Sequence, residues 1–326
     1  MHPDSEIVQG GLVLPVDASD VYGKTVVEAG TDVTPAVLAD VAAAGRFAST
    51  CRLNLKGSRL RKDMDELIGQ GPYPELFPPG RIDDVLRIYD DLRVLPVLFE
   101  EFEFMRTRDI YVYEHVLRTA ALTASMAIDL YGKDRAPLIG YTALTHDIGM
   151  VRLPDDVLKQ DIGVDRRKRK VLYGHTIVGY VLLTYYLGSA QFGNCRVALE
   201  HHERGNGVGY PRGIKLRDQI IELIGTADAF DALLSARPFR KEPFELRAAL
   251  DTLWNEAKLG VLNSVAVKLL IGYSRSRYEA FDAGRVIVAE ETRRRAPAEN
   301  NYINWADYQH YECGLTGQAA GAKKQG

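Results

Sequence analysis

Between about residue 81 and residue 278, the chain is a succession of apolar segments with helical spacing, and single histidines or aspartates interrupt their apolar faces. Residues 110–132 are an example, with apolar side chains three and four positions apart, as in a helix that buries one side. The interrupting residues recur at steps of roughly 30 residues, about one helix and one turn: His115, His146, His175, the His201–His202 pair and Asp228. The sequence therefore predicts a mainly α fold, in which several helices each direct one polar group into a shared interior.

Two of the predicted helices contain a feature that bears on their continuity. Residues 82–105 have helical spacing, and Pro96 in their second half predicts a kink. Residues 165–187 begin polar and end apolar. We expect each of these two segments to form a single helix of the bundle.

The first part of the chain has a different pattern. Residues 12–17 and 22–30 combine valines with turn residues, which predicts short strands. Thr34 and Pro35 then predict a helix start, and Gly45 predicts its end. Four prolines within residues 71–80 predict a stiff linker. We therefore expect a small α/β or β-rich module with its linker over residues 1–78, and a helical domain with a polar C-terminal tail over residues 79–326.

Composition excludes several functional classes. The net charge of −3 provides no general attraction to a nucleic acid polymer or to a membrane surface. No apolar run approaches the roughly 20 residues of a membrane span, and the N-terminus lacks the pattern of a signal peptide. The three cysteines are scattered and form neither a metal-binding pair nor a disulfide framework. We expect a cytoplasmic protein with reduced thiols.

The histidines and aspartates within the apolar segments are the residues that can support chemistry. Taken singly, His115 is typical of a hydrogen-bonded core histidine, Asp228 is typical of a capping or ion-paired residue, and the paired histidines are a weak signal. Together, five imidazoles and the carboxylates of Asp147 and Asp228 exceed what one tetrahedral site needs, and they fit two adjacent metal ions that share a bridging carboxylate. Nitrogen and oxygen ligands suit iron, manganese or zinc, and they do not suit Cu(I) or an iron–sulfur cluster.

Two motifs in this region resemble those of one family. HDIG at residues 146–149, followed by HHERGNGVGYPRG at residues 201–213, is similar to the HD-GYP domain, a subgroup of the HD phosphohydrolases. The resemblance extends from about His115 to Arg240, and more weakly to about Arg277. Residues 1–60 also resemble the small module that often precedes this domain. The resemblance implies an HD-type helical bundle that hydrolyses cyclic di-GMP.

The resemblance also implies roles for particular residues. Two divalent ions, iron or manganese, would be held by His115, His146, Asp147, His175, His201, His202 and Asp228. Asp147 would bridge the ions and thereby serve catalysis, with a metal-bridging hydroxide opening cyclic di-GMP to linear pGpG. The substrate would be contacted by Tyr210, Asp231, Arg237 and Arg240, of which the two arginines lie in a segment similar to the R-P-Y-R segment of the family.

Three positions depart from the family pattern. Met150 stands where the family usually has a lysine after HDIG, so a cation near the substrate phosphate is missing. Asn206 to Gly209 replace the usual D-G-S-G, which removes a charge and keeps a turn former. Tyr111 stands where members with a third metal have a glutamate, so we expect two ions.

Two alternatives remain open at this point. The lost lysine favours a catalytically weak scaffold, or a cyclic-dinucleotide sensor, that engages a GGDEF-type cyclase domain through the loop Gly209–Pro211. The complete ligand set favours an enzyme, whose substrate in a further alternative is a mixed cyclic dinucleotide.

Overall fold

The computed structural model describes residues 11–45, 47, 51–158, 166–236 and 242–275. These residues form a bundle of helices preceded by a small β-containing module. This architecture confirms the predicted fold class. None of the helices within the described ranges combines the length and the apolarity that a membrane span requires.

The N-terminal module consists of a two-stranded ribbon and one helix. Strand β1 (Ala18–Ser19) pairs antiparallel with β2 (Thr25–Val27). Helix α1 (Pro35–Ala44) begins as predicted, because the Thr34 side chain accepts a hydrogen bond from the Val37 amide and proline occupies the first turn. Gly45 then lies against the Tyr185 carbonyl oxygen, where an added Cβ would come within 1.8 Å. The module is therefore packed directly on the helical part of the chain.

The proline-rich segment at residues 71–80 is not a linker. Tyr73–Leu76 form a 3₁₀ turn, and the side chains of Tyr73, Leu76 and Phe77 are buried. Strand β3 (Leu53–Asn54) pairs with β4 (Arg93–Val94), so hydrogen bonds cross the boundary predicted at residue 78. One hydrophobic core includes side chains from both predicted units. Prolines restrict φ equally in an exposed spacer and in a packed turn, which is why the linker prediction was wrong.

Twelve helical segments follow in the described part of the chain after α1. They are α2 (Arg59–Ile68), α3 (Arg81–Asp91), α4 (Pro96–Arg108), α5 (Ile110–Tyr131), α6 (Ala136–Leu144), α7 (Asp155–Leu158), α8 (Arg166–Tyr173), α9 (His175–Leu187), α10 (Gly193–Glu200), α11 (Gln219–Leu234), α12 (Leu246–Lys258) and α13 (Ser264–Tyr273). Helix α5 is buried along most of its length, and α6, α11, α2 and α4 pack around it.

Two helices were predicted to be longer than they are. Pro96 is the first residue of α4 and does not kink a longer helix, because a proline at this position forfeits no internal hydrogen bond. Gly174 separates α8 from α9, and it lies so close to Pro15 that an added Cβ would be 2.0 Å from the proline ring. The break places His175 at the start of α9, directed into the bundle.

Candidate metal centre

The seven predicted metal ligands converge inside the bundle in two adjacent groups. Within each group, one ligand atom per residue lies within 4.8 Å of the others. They come from α5, the turn after α6, the start of α9, the end of α10 and the middle of α11. One group contains Asp147, His175, His201 and His202, and the other contains His115, His146 and Asp228.

Asp147 lies between the two groups. Its Oδ1 atom is 3.2 Å from Nε2 of His175 and 3.4 Å from Nε2 of His201. Its Oδ2 atom is 3.6 Å from Nε2 of His146 and 3.8 Å from Nε2 of His115. One carboxylate oxygen thus faces each group, which is the geometry that a bridging ligand requires.

Three of the histidines are oriented by backbone carbonyls of their own preceding turn. Nδ1 contacts Ala143 O for His146 (2.7 Å), Leu172 O for His175 (2.6 Å) and Val197 O for His201 (2.9 Å). A carbonyl only accepts hydrogen bonds, so each Nδ1 carries the proton and each Nε2 presents a lone pair. This arrangement is typical of metal-binding histidines, whose second nitrogen donates to an outer partner.

Two buried atoms of the centre have no hydrogen-bond partner. They are Nε2 of His146 and Oδ1 of Asp147. A buried polar atom without a partner costs about 1–3 kcal/mol, and such atoms are rare in folded proteins. Divalent cations held by the two groups would accept these lone pairs, that of Asp147 Oδ1 in one group and that of His146 Nε2 in the other. The donor atoms of this cluster therefore fit a metal site with nitrogen and oxygen ligands.

The electrostatics of the centre keep the carboxylates ionised. Burial opposes the ionisation of Asp147 and Asp228, but the surrounding histidines hold the pKa of both carboxyls well below their ordinary range. Burial lowers the pKa of His146 to about 4 and that of His202 well below its ordinary value. At neutral pH these residues supply two anionic carboxylates and two neutral imidazoles, the protonation states that bind metal.

His115 has a carboxylate as its outer partner. Its Nδ1 lies 2.6 Å from Asp231 Oδ2, and its Nε2 lies 3.0 Å from Asp228 Oδ1. Asp231 is fully buried and also accepts hydrogen bonds from Ser235 Oγ, at 3.2 Å, and from the Tyr73 hydroxyl. Asp231 was expected to contact substrate, and the structure places it behind His115 instead. Tyr73 was not identified from the sequence, because it lies in the segment interpreted as a linker.

Comparison with known proteins identifies the region that contains this cluster. The sequence model of the HD domain family matches residues 108–261, which include all seven residues. Residues 108–261 of the chain are therefore similar to the HD domain family. This match confirms the family resemblance that the two sequence motifs indicated.

Several curated relatives are similar to part of the chain. A cyclic di-GMP phosphodiesterase of Thermotoga maritima is 31% identical over 156 residues, which is 45% of this chain and 42% of the relative. The cyclic di-GMP phosphodiesterase response regulator RpfG of Xanthomonas campestris is 36% identical, over 37% of this chain and 32% of the relative. A 3'3'-cGAMP-specific phosphodiesterase of Vibrio cholerae is 27% identical, over 52% of this chain and 39% of the relative. The chain thus aligns with less than half of each of these relatives.

The loop after the paired histidines of the HD domain is organised by Glu203. This side chain is buried, and its two oxygens accept hydrogen bonds from the amides of Arg212 at 2.8 Å and Ile214 at 3.0 Å. Gly209 crosses the chain so closely that an added Cβ would be 2.2 Å from the His202 carbonyl oxygen. The loop therefore folds back over the histidines, and Glu203, which follows them directly, was overlooked as the residue that holds it.

Tyr210 stacks between two rings of the HD domain. Its ring is 3.7 Å from that of Tyr173, with an interplanar angle of 7°, and 4.5 Å from that of His202, at 26°. The sequence predicted a ring face presented to a guanine or a protein partner. Here both faces are covered by side chains of the same domain, so the ring buttresses His202.

Met150 follows HDIG directly, and its side chain packs on apolar residues. Its amide donates to the Asp147 carbonyl oxygen at 2.9 Å, and its side chain contacts a small apolar cluster of Leu153, Val157 and Leu158. Gly149 meets the start of α9, where an added Cβ would be 2.1 Å from the His175 carbonyl oxygen. The turn of the HD motif is thereby locked onto α9. The two predicted phosphate-binding arginines, Arg237 and Arg240, lie outside the described residues.

Proposed function

We propose that this chain is a metal-dependent phosphodiesterase that hydrolyses cyclic di-GMP to linear pGpG. The observation that carries the proposal is the position of Asp147, with one oxygen toward His175 and His201 and the other toward His146 and His115. A carboxylate shared between two groups of imidazoles is suited to two adjacent ions. The curated relatives named as cyclic di-GMP phosphodiesterases support the choice of substrate.

In this proposal, the seven ligands hold two divalent ions, and iron or manganese suits the nitrogen and oxygen donors. When bound, such ions lower the pKa of a water that they share and neutralise charge on the phosphoryl oxygens. The protein residues position and insulate this chemistry. Backbone carbonyls and Asp231 direct the imidazoles, while Tyr210 covers His202.

Substrate recognition is assigned by resemblance. We propose that Arg237 and Arg240 contact the phosphates, as charge-assisted hydrogen bonds from arginine suit phosphate oxygens. The loop Gly209–Pro211 is proposed as the contact for a GGDEF-type cyclase domain. The half-buried residues Tyr210 and Pro211 would carry that contact without the ring faces of Tyr210, which are occupied. The cytoplasm is the proposed location, where cyclic dinucleotides act.

A second candidate function is a sensor or scaffold with little turnover. Met150 favours it, because methionine supplies neither a charge nor a proton to the phosphate. A mixed cyclic dinucleotide is an alternative substrate, since one relative is named as specific for 3'3'-cGAMP.

One experiment separates these functions. Purified protein is loaded anaerobically with Fe(II) or with Mn(II), its metal content is measured, and turnover of cyclic di-GMP and 3'3'-cGAMP is followed by chromatography. About two ions per chain with pGpG as product support the proposal. Protein that holds two ions and binds a cyclic dinucleotide tightly, but turns over neither of the two dinucleotides, supports the sensor. Protein that retains no transition metal contradicts both.

A further inference from the structure

A tyrosine from outside the matched HD domain reaches the outer partner of a candidate metal ligand. The Tyr73 hydroxyl donates a hydrogen bond to Oδ1 of Asp231, whose Oδ2 lies 2.6 Å from Nδ1 of His115. The other ring nitrogen of His115 faces Asp228 and Asp147. The three side chains therefore form a continuous chain from the 3₁₀ turn at Tyr73–Leu76 to the metal cluster.

Several contacts hold the Tyr73 side chain in one position, as a residue that acts through this row of hydrogen bonds requires. Its side chain is buried, and Leu76 and Phe77 anchor the same turn in the hydrophobic core. The Arg118 guanidinium lies 5.4 Å from the centroid of the Tyr73 ring, within the range of a cation–π contact. The contact with Arg118 thus fixes the ring of Tyr73, and the hydrogen bond to Asp231 fixes its hydroxyl.

The carboxylate of Asp231 depends on its donors. It is fully buried, and a buried carboxylate must be hydrogen-bonded to remain charged. The Nδ1 proton of His115, the Tyr73 hydroxyl and Ser235 Oγ are the donors to this carboxylate. An outer carboxylate that accepts the Nδ1 proton of a histidine holds the ring in place.

We propose that Tyr73 is a positioning residue for the metal centre, acting through Asp231 on the orientation of His115. This inference rests on the proposed metal-dependent function. In the group formed by His115, His146 and Asp228, the orientation of His115 depends on Tyr73, whereas His175 and His201 of the other group are oriented by backbone carbonyls. The segment before the HD domain thereby completes the site.

The test is the stepwise affinity of the full-length protein for Mn(II), measured by competition with a fluorescent chelator. The variant Tyr73→Phe keeps the ring and removes the hydroxyl. We expect the affinity for one of the two ions to fall by about 10-fold or more, as for other outer partners of metal ligands, with the second affinity unchanged. Tyr273→Phe is the matched control, because the Tyr273 hydroxyl also donates to a partly buried aspartate, Asp129 at 2.5 Å, and lies outside the cluster. It should leave both affinities unchanged.

A double-variant cycle tests whether the effect passes through Asp231. In an Asp231→Asn background, Tyr73→Phe should cause no further loss of Mn(II) affinity, because the relay is already broken. Equal affinities in Tyr73→Phe and wild type overturn the inference, and so do fully additive losses in the double variant. Ser235→Ala removes another donor to Asp231 and replaces Tyr73→Phe in the cycle if the latter fails to fold. A wild-type protein that binds no Mn(II) contradicts the proposed function itself. Two Mn(II) sites whose affinities do not change in Tyr73→Phe contradict only the role of Tyr73.

Discussion

Arg152 donates two hydrogen bonds from one nitrogen to the carboxylate of Glu101, at 2.5 and 2.7 Å. Arg152 also donates to the Ser19 carbonyl oxygen at 2.6 Å, and Tyr186 donates to Glu101. Glu101 is fully buried, and Arg152 follows the HD motif by a few residues. The pair therefore joins the N-terminal ribbon, helix α4 and the turn that follows HDIG at one point.

We predict that removing only the cation of the Arg152–Glu101 pair lowers the free energy of unfolding more than replacing both residues by apolar ones. Arg152→Met should destabilise the protein by about 3–5 kcal/mol, because it leaves the Glu101 carboxylate buried without its cation. Glu101→Leu combined with Arg152→Met should recover part of that loss, since an apolar pair removes both buried charges. Urea denaturation followed by circular dichroism gives the free energies. A double variant less stable than Arg152→Met would contradict this account.

The position of Asp147 between the two groups of ligands predicts the effect of its removal on metal content. Asp147→Asn keeps the shape of the side chain but removes the charge shared by the two groups. We expect at least one ion per chain to be lost and turnover of cyclic di-GMP to fall by at least about 100-fold, in the range seen when a charge-stabilising group is removed. Elemental analysis and a chromatographic assay measure the two quantities. Full metal content in the variant would rule out the bridge.

Met150 predicts a gain of activity. The methionine is half-buried against an apolar cluster, and the long stem of a lysine can keep that contact while its ammonium reaches water or phosphate. Met150→Lys should raise turnover by about tenfold or more, because one charge-assisted contact contributes roughly 1.5–3 kcal/mol. Met150→Leu, which changes the packing but not the charge, is the control and should not raise it. If the lysine variant is no faster than an already active wild type, the position does not limit catalysis.

The pKa of His146 predicts how the metal-free protein responds to acid. Burial lowers this pKa to about 4 from an ordinary value of 6.5, so the unfolded chain binds a proton more readily between these two pH values. The contribution to stability is present above pH 6.5 and is lost as the pH falls towards 4, by up to about 3 kcal/mol. His202, whose pKa is also lowered, acts in the same direction. Denaturation of chelator-treated protein between pH 7 and pH 4 measures the effect, and His146→Gln should show a smaller loss over the same range. An identical pH dependence in that variant would remove His146 as the cause.

The sequence determined the fold class and the set of residues that meet at the centre. Helical spacing identified which side of each segment is buried, so periodicity alone predicted that His115, His146 and Asp228 lie inside the bundle. The pattern of HDIG and GYP motifs identified the HD domain, because each motif depends on residues close together in the chain. Helix ends with strong local signals, such as Thr34 and Pro35, were also predictable, since capping involves only neighbouring residues.

Only the tertiary structure decided which residues contact and orient the ligands of that centre. Periodicity identifies the buried face of a helix and does not identify the distant segment that packs against it. Tyr73 was therefore assigned to a linker, although its hydroxyl reaches Asp231 on α11. Tyr210 was expected to offer a free ring, and its faces are covered by Tyr173 and His202 because the loop folds back over the histidines. These contacts join residues far apart in the chain, and their partners are set by the packing of the whole core rather than by any local preference.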